Sequence, residues 1–261
     1  MKINLIHKKA LVGGSSKGLG KSIALELAKN GASVTIMARN KEALQALVSK
    51  MDTSQGQVHQ FLIVDFYNFN EYQNIISNYF KSNSVDILVN NTNGPEGGTV
   101  FDKTTKDYQT AFDLLFKTTQ FTTMCAIKQM EKNGFGRIIN ATSISVVEPI
   151  NHLILSNTIR AAVTTWAKTL ATSIASKGIT VNNILTGIFD TERIKELNKL
   201  QAKQLNISED EVLLNLKNSI PMKRIGNPKE FGYLVNFLAS EYASYITGTN
   251  IVIDGGLVKS L

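Results

Sequence analysis

Ala10-Leu11-Val12-Gly13-Gly14-Ser15-Ser16-Lys17-Gly18-Leu19-Gly20 runs from a short apolar segment through four glycines, and a pattern of helical period follows directly over Ser22–Lys29. An apolar run of strand length, a loop of small residues and a helix in that order form a built place for a phosphate. Small side chains let the backbone turn tightly and approach an anion, and the first amides of the helix meet its charge. Gly14, Ser15, Ser16, Lys17, Gly18, Leu19 and Gly20 are therefore expected to bind the pyrophosphate of a dinucleotide.

The same alternation continues outward from this loop. Ser33–Ala38 precedes a helical pattern over Glu42–Met51, Val58–Val64 precedes Tyr72–Phe80, and Ile87–Val89 precedes Tyr108–Met130. Arg137–Asn140 then precedes Ile159–Ala175, and Thr180–Leu185 leads into the tail. Strands that read as continuous apolar runs, each followed by a helix, belong to a parallel sheet covered on both faces. The expected fold is α/β: residues 1–261 as a single-domain, Rossmann-like, doubly wound parallel sheet with helices on both faces. Asp190–Ser219 departs in composition, being rich in Lys, Glu, Asn and Leu, with Ile194, Leu197, Leu200 and Val212, Leu213, Leu216 at helical spacing. It reads as a helical insertion at the carboxyl edge of the sheet, placed to act as a substrate lid.

Composition removes other classes. With 43% hydrophobic residues the chain is not disordered, and the single Cys125 rules out a disulfide framework. No apolar run reaches the roughly 18 residues of a membrane span, and Met1–Lys9 is too short and polar for a signal peptide, so a cytoplasmic address and no membrane partner are expected. The net charge of +7 is spread among acidic residues rather than gathered in a basic stripe, which argues against nucleic acid. His7, His59 and His152 have no metal-ligand spacing, so no metal is expected.

The choice of dinucleotide turns on the end of the second strand. An NAD site usually places a carboxylate there for the ribose 2′-hydroxyl, whereas this strand ends Met37-Ala38-Arg39-Asn40. Arg39 can fork onto a 2′-phosphate, and Lys17 lies within the loop beside it, so NADP(H) is favoured over NAD(H).

Together with Asp65 after the third strand, Asn90-Asn91-Thr92-Asn93-Gly94 after the fourth, Asn140-Ala141-Thr142-Ser143 after the fifth and Ile253-Asp254-Gly255-Gly256 near the end, the loop resembles the short-chain dehydrogenase/reductase family over nearly the whole chain. The resemblance implies that Asp65 and Phe66 approach the adenine, and that Asn90 and Asn91 lie beside the cofactor at the central strands. It also implies that Gly187, Ile188 and Thr191 contact the nicotinamide, with Thr186 where the family usually has Pro. In that family a Ser holds the substrate oxygen and a Tyr thirteen residues later transfers the proton. A Lys four residues beyond the Tyr lowers its pKa, and an Asn on the preceding helix anchors a water relay. Here Ser143 is kept, but the Tyr, Lys and Asn positions hold Ser156, Arg160 and Leu115, and no Tyr lies between Tyr108 and Tyr233. The pattern is similar to a bacterial branch lacking the Tyr, which includes 3-oxoacyl-carrier-protein reductase-like proteins and a bacilysin-pathway reductase of a conjugated dienone.

A serine hydroxyl titrates far above the ~10 of a tyrosine and reaches less far, so Ser156 cannot replace it as an acid. Arg160 carries a fixed charge that stabilises negative oxygen but does not cycle protons. Hydride addition to an enone tolerates this deficit, because the resulting enolate can take its proton from water or a modest acid. Ser143 and Arg160 would then hold the oxygen, and His152, with an ordinary pKa of about 6.5, is a candidate proton source. Three readings stay open: an NADP(H)-dependent reductase of a small-molecule enone or activated carbonyl, a conventional 3-oxoacyl or ketone reductase with a substitute acid, and a non-catalytic nucleotide-binding sensor. The helices Tyr108–Met130 and Ile159–Ala175 correspond to the family's dimer contact and Thr249–Ile253 to its second interface, which implies a homotetramer, or a homodimer if only the first forms.

Overall fold

The computed structural model describes residues 2–260. Its centre is a seven-stranded, fully parallel sheet of order β3-β2-β1-β4-β5-β6-β7. The strands are β1 (Lys9–Val12), β2 (Ser33–Ala38), β3 (Gln60–Ile63), β4 (Ile87–Asn90), β5 (Gly136–Ala141), β6 (Ile179–Thr186) and β7 (Asn250–Ile253). Strand order reverses between β1 and β4, and in a doubly wound sheet the crevice for a ligand opens at the carboxyl ends of the strands at that reversal.

Both faces are covered, as continuous apolar strands require. Alternate residues of β1 point to opposite sides: Ala10 and Val12 join one core and Leu11 the other. The first core lies under α1 (Gly18–Lys29), α2 (Lys41–Val48) and α9 (Pro228–Ala239), with Ile23, Leu27, Leu44, Phe231 and Val235 fully buried. The second lies under α3 (Phe69–Ser82), α5 (Thr118–Asn133) and α6 (Ile154–Ile174), around Ile76, Ala126, Met130 and Ala167.

Three expectations are corrected. The third strand is shorter than Val58–Val64, because it is the edge strand and Val58 stands 74% exposed. The pattern over Tyr108–Met130 divides into α4 (Thr105–Phe112), a π turn over Asp113–Lys117 and α5. The helix expected from Ile159 begins at Ile154, so Ser156 and Arg160 both lie on α6. Helix α9 was not foreseen, although Asn227-Pro228 with Glu230 forms a capping box with Pro in the first turn. The segment expected as a helical insertion is a pair of helices, α7 (Glu192–Leu205) and α8 (Glu209–Ser219), separated at Asn206, whose φ is 53°. Among the described residues no helix is long and apolar enough to cross a membrane.

Candidate active site

The phosphate loop is held from below by the sheet. Gly13 N–H donates to the Val89 carbonyl (3.1 Å) and Ser15 N–H to that of Met37 (3.0 Å), so the loop is tied to both neighbours of β1. Asn91 Nδ2 donates to the Gly13 carbonyl at 3.0 Å. A Cβ on Gly13 would collide with the Asn91 carbonyl oxygen, and one on Gly20 with that of Gly14. Gly14 and Gly18 have φ of 57° and 58°, where a side chain is strained.

Above this loop opens a cavity of about 780 Å³, within the usual range of roughly 300–1,000 Å³ for small-molecule sites. Gly14, Ser16, Lys17, Gly18, Leu19 and Gly20 line its floor, and Arg39, Asp65 and Phe66 line it beyond β2 and β3. Asn91, Gly187, Thr191 and Arg160 line it on the side of β4 to β6. Residues from six chain segments thus meet in one space. Ser15 is an exception: it is fully buried, and its hydroxyl donates to the Val12 carbonyl at 2.8 Å, so it shapes the loop from beneath. Ile188 does not line the cavity either; its carbonyl accepts the Gly226 N–H at 2.9 Å and holds the turn leading to α7.

The cations differ in how free they are. Arg39 is exposed at the cavity edge and makes no salt bridge among the described residues. Lys17, expected to be open to a phosphate, instead has its Nζ 3.2 Å from Glu196 Oε1 on α7, and Arg193 lies 3.9 Å from the other oxygen of that carboxylate. The first turn of α7 therefore reaches back over the phosphate loop, and Thr191 Cγ2 sits 3.4 Å from where a Cβ of Gly18 would be.

Arg160 is placed by two bonds. Its Nε donates to Ser156 Oγ (3.2 Å), one helical turn earlier, and its Nη1 to the Ala141 carbonyl (2.7 Å) at the end of β5. Among the described residues no carboxylate pairs with it, and burial alone pushes its pKa down to about 10. It remains a cation at neutral pH. The Ser156 hydroxyl is buried beside it and does not line the cavity. Ser143 is half-buried one residue past Thr142, which does line it, and the Ser143 oxygen accepts the Ser145 N–H at 3.1 Å. The structure does not bring His152 to this group: it is exposed and does not line the cavity, while its carbonyl accepts the Gly98 N–H at 2.7 Å.

Behind Arg160 lies a second, small cavity of about 10 Å³, lined by Asn90, Leu115, Thr119, Asn140 and Val163 among others. Leu115 enters it from the π turn, a distortion that often marks functional places in helices. Asn90 also starts a row across the sheet. Its Nδ2 donates to Asn140 Oδ1 (2.8 Å), Asn140 to Asn183 (2.9 Å) and Asn183 to Asn250 (2.8 Å), all in register on β4 to β7. Several lining residues were not foreseen. Asn40, which caps α2, carried a local signal, whereas Leu114, Thr142 and Tyr67 reach the cavity only through the folded geometry.

Residues 14–258 match the family model described as enoyl-(acyl carrier protein) reductase. A 3-oxoacyl-[acyl-carrier-protein] reductase, FabG, of Chlamydia pneumoniae is 31% identical over 98% of this chain and 99% of its own length. The chain belongs to the short-chain dehydrogenase/reductase family. It is an oxidoreductase of that family, and it is also similar to the NADPH-dependent reductase BacG of Bacillus subtilis, at 32% identity over 97% of this chain and 98% of that one. The crystal structure of L-sorbose reductase from Gluconobacter frateurii, complexed with NADPH and L-sorbose, superposes with a TM-score of 0.93 over the full length of both chains at 28% identity. Ser156 and Arg160, the positions reached by counting from Ser143, are a hydrogen-bonded pair one turn apart on α6.

Proposed function

We propose that this chain is an NADP(H)-dependent reductase that adds hydride to a small-molecule enone or activated carbonyl without a tyrosine acid. The observation that carries the reading is Arg160: a guanidinium fixed by Ser156 and Ala141, bordering the cavity and facing no carboxylate among the described residues. Such a group offers permanent positive charge to an oxygen on which charge develops, a large contribution where water is excluded. It cannot deliver a proton at the rate a phenol can, so the substrate must be one whose anion is stabilised by conjugation or by neighbouring acceptors.

The fit to NADP(H) rests on the collisions that any side chain at Gly13 or Gly20 would meet and on Arg39 at the end of β2, where no carboxylate stands. The phosphate loop would hold the pyrophosphate, Arg39 and Lys17 the 2′-phosphate, Asp65 and Phe66 the adenine side, and Asn91, Gly187 and Thr191 the nicotinamide side, with Ile188 shaping the turn behind them. The bound cofactor supplies the hydride. The names of the relatives support the same cofactor, since BacG is called NADPH-dependent and the sorbose reductase was solved with NADPH. Ser143 and Arg160 would hold the substrate oxygen, with the proton drawn from solvent or from His152 if its loop moves inward. The likeness to FabG favours 3-oxoacyl thioesters as the second substrate class.

Anaerobic NADPH oxidation against a panel of enones, 1,2-diketones, 3-oxoacyl thioesters and simple ketones, with products identified, tests this. Saturated products from enones are expected; turnover confined to simple ketones would overturn it, and tight binding of NADPH with no turnover would favour a sensor. Assembly as a homotetramer is part of the same reading. The half-buried Phe116 of the π turn, the exposed Met124 of α5 and the half-buried Trp166 of α6 are apolar, and Val252 of β7 is 44% exposed. Light scattering that gives a monomer at all concentrations would contradict it.

A further inference from the structure

Strand β6 ends at Thr186, the position where the short-chain dehydrogenase/reductase pattern has a proline. Thr186 lines the main cavity, yet its Oγ1 is shielded from water and has no hydrogen-bond partner among the described residues. The groups around it are satisfied. Gly187 N–H donates to the Ile253 carbonyl at 3.0 Å, and the Thr142 hydroxyl donates to that of Ile184 at 3.1 Å. A buried hydroxyl without a partner is costly, and a valine of the same shape would avoid that cost. The residue already lines the cavity, and a staggered change of χ1 is the motion by which its hydroxyl would meet a ligand there.

Topology says which part of the ligand it meets. The phosphate loop lies over β1, with Arg39 and Asp65 beyond it on the β2 and β3 side. Thr186 lies on the opposite side, three strands from β1 in the order β1-β4-β5-β6, about 14 Å away at the usual strand spacing of roughly 4.8 Å. A dinucleotide whose pyrophosphate rests on the loop, with its adenosine toward β2, extends its nicotinamide half toward β5 and β6. The polar group on that half without charge or sugar is the carboxamide, which both donates and accepts. Resting on the dinucleotide reading above, we propose that the Thr186 hydroxyl is a positioning contact for the nicotinamide carboxamide, one that the usual proline has no hydroxyl to make.

The test compares two ligands, NADPH and 2′-phospho-ADP-ribose, which keeps the phosphates and adenosine but lacks the nicotinamide. Their affinities are measured by calorimetry for the native chain, Thr186→Val and Thr186→Ser. Thr186→Val should weaken NADPH about five- to tenfold, as for one neutral hydrogen bond. It should leave 2′-phospho-ADP-ribose unchanged and the melting temperature of the free protein unchanged or higher. Thr186→Ser should bind NADPH within about twofold of native. Equal weakening of both ligands, or no weakening of NADPH by a folded Thr186→Val, overturns the proposal while leaving the dinucleotide reading intact. A native chain that binds neither ligand overturns both.

Discussion

The half of the cavity over β1 to β3 and the half over β4 to β6 stand on one continuous sheet, yet they constrain sequence in opposite ways. In the first half the cavity floor is a glycine-rich loop, where what matters is the absence of side chains: Gly13 and Gly20 cannot carry a Cβ without striking the Asn91 or Gly14 carbonyl. In the second half side chains border the space, and under the proposed function Ser156, Arg160, Leu115 and Thr186 stand where the family pattern has Tyr, Lys, Asn and Pro. Packing survives these exchanges. Arg160 finds Ser156 Oγ and the Ala141 carbonyl, Leu115 fills the edge of the small cavity, and the row from Asn90 to Asn250 keeps the strands in register. On the proposed function, a scaffold keeps its cofactor geometry while the chemistry beside it is replaced as a set.

The largest effect should come from the first half. Gly20→Ala places a methyl against the Gly14 carbonyl, and overpacking against backbone costs roughly 1–3 kcal/mol. NADPH affinity should fall by up to about 100-fold, while Gly134→Ala, strained by its φ of 63° but outside the cavity lining, should cost stability and leave affinity unchanged. Fluorescence titration of NADPH reads both, and an unaltered affinity in Gly20→Ala would break the idea that this half is fixed by backbone approach.

The second half should respond in rate rather than in binding. Arg160→Gln keeps a donor but removes the charge, and kcat/KM for the best substrate should fall about 100-fold, the scale for losing one oxyanion-stabilising group. Arg160→Lys should retain more, falling about tenfold, because it keeps charge without the fork that reaches both Ser156 and Ala141. A folded Arg160→Gln protein within threefold of native would remove Arg160 from the chemistry. The converse change restores the missing set: Leu115→Asn, Ser156→Tyr and Arg160→Lys together should raise reduction of simple ketones at least about tenfold. If that variant folds and binds NADPH but gains nothing, the loss of proton delivery is not what separates this chain from the conventional pattern.

The same contrast explains what was legible in the sequence. The sheet could be read because buried parallel strands leave continuous apolar runs, and the phosphate loop because its glycines sit between a strand and a helix. Counting from Ser143 picks out Ser156 and Arg160, and their spacing of four is legible as one turn of a single helix. Position in space was not legible. Nothing local reveals that His152 is exposed while its carbonyl fastens Gly98, or that the Ser15 hydroxyl is committed to Val12. Nor could the sequence show that Glu196, 179 positions from Lys17, would meet it across the cavity, because a charge on an amphipathic insertion reads simply as solvated surface.

That last contact gives the smallest expected effect and bears on the line between the halves, because α7 leaves the end of β6 and returns over the phosphate loop of β1. Lys17 and Glu196 are each about half exposed, and exposed pairs are worth about 0–1 kcal/mol, so the pair acts as a weak latch. If Lys17 serves the 2′-phosphate, Glu196 competes with that phosphate for it. Glu196→Gln should then tighten NADPH about threefold at low ionic strength and leave NADH, which lacks the phosphate, unchanged. The gain should vanish near 1 M salt, where charges are screened beyond about 3 Å. An equal change for NADH and NADPH would assign Lys17 to holding α7 alone, and Arg39 would then carry the discrimination between the two cofactors by itself.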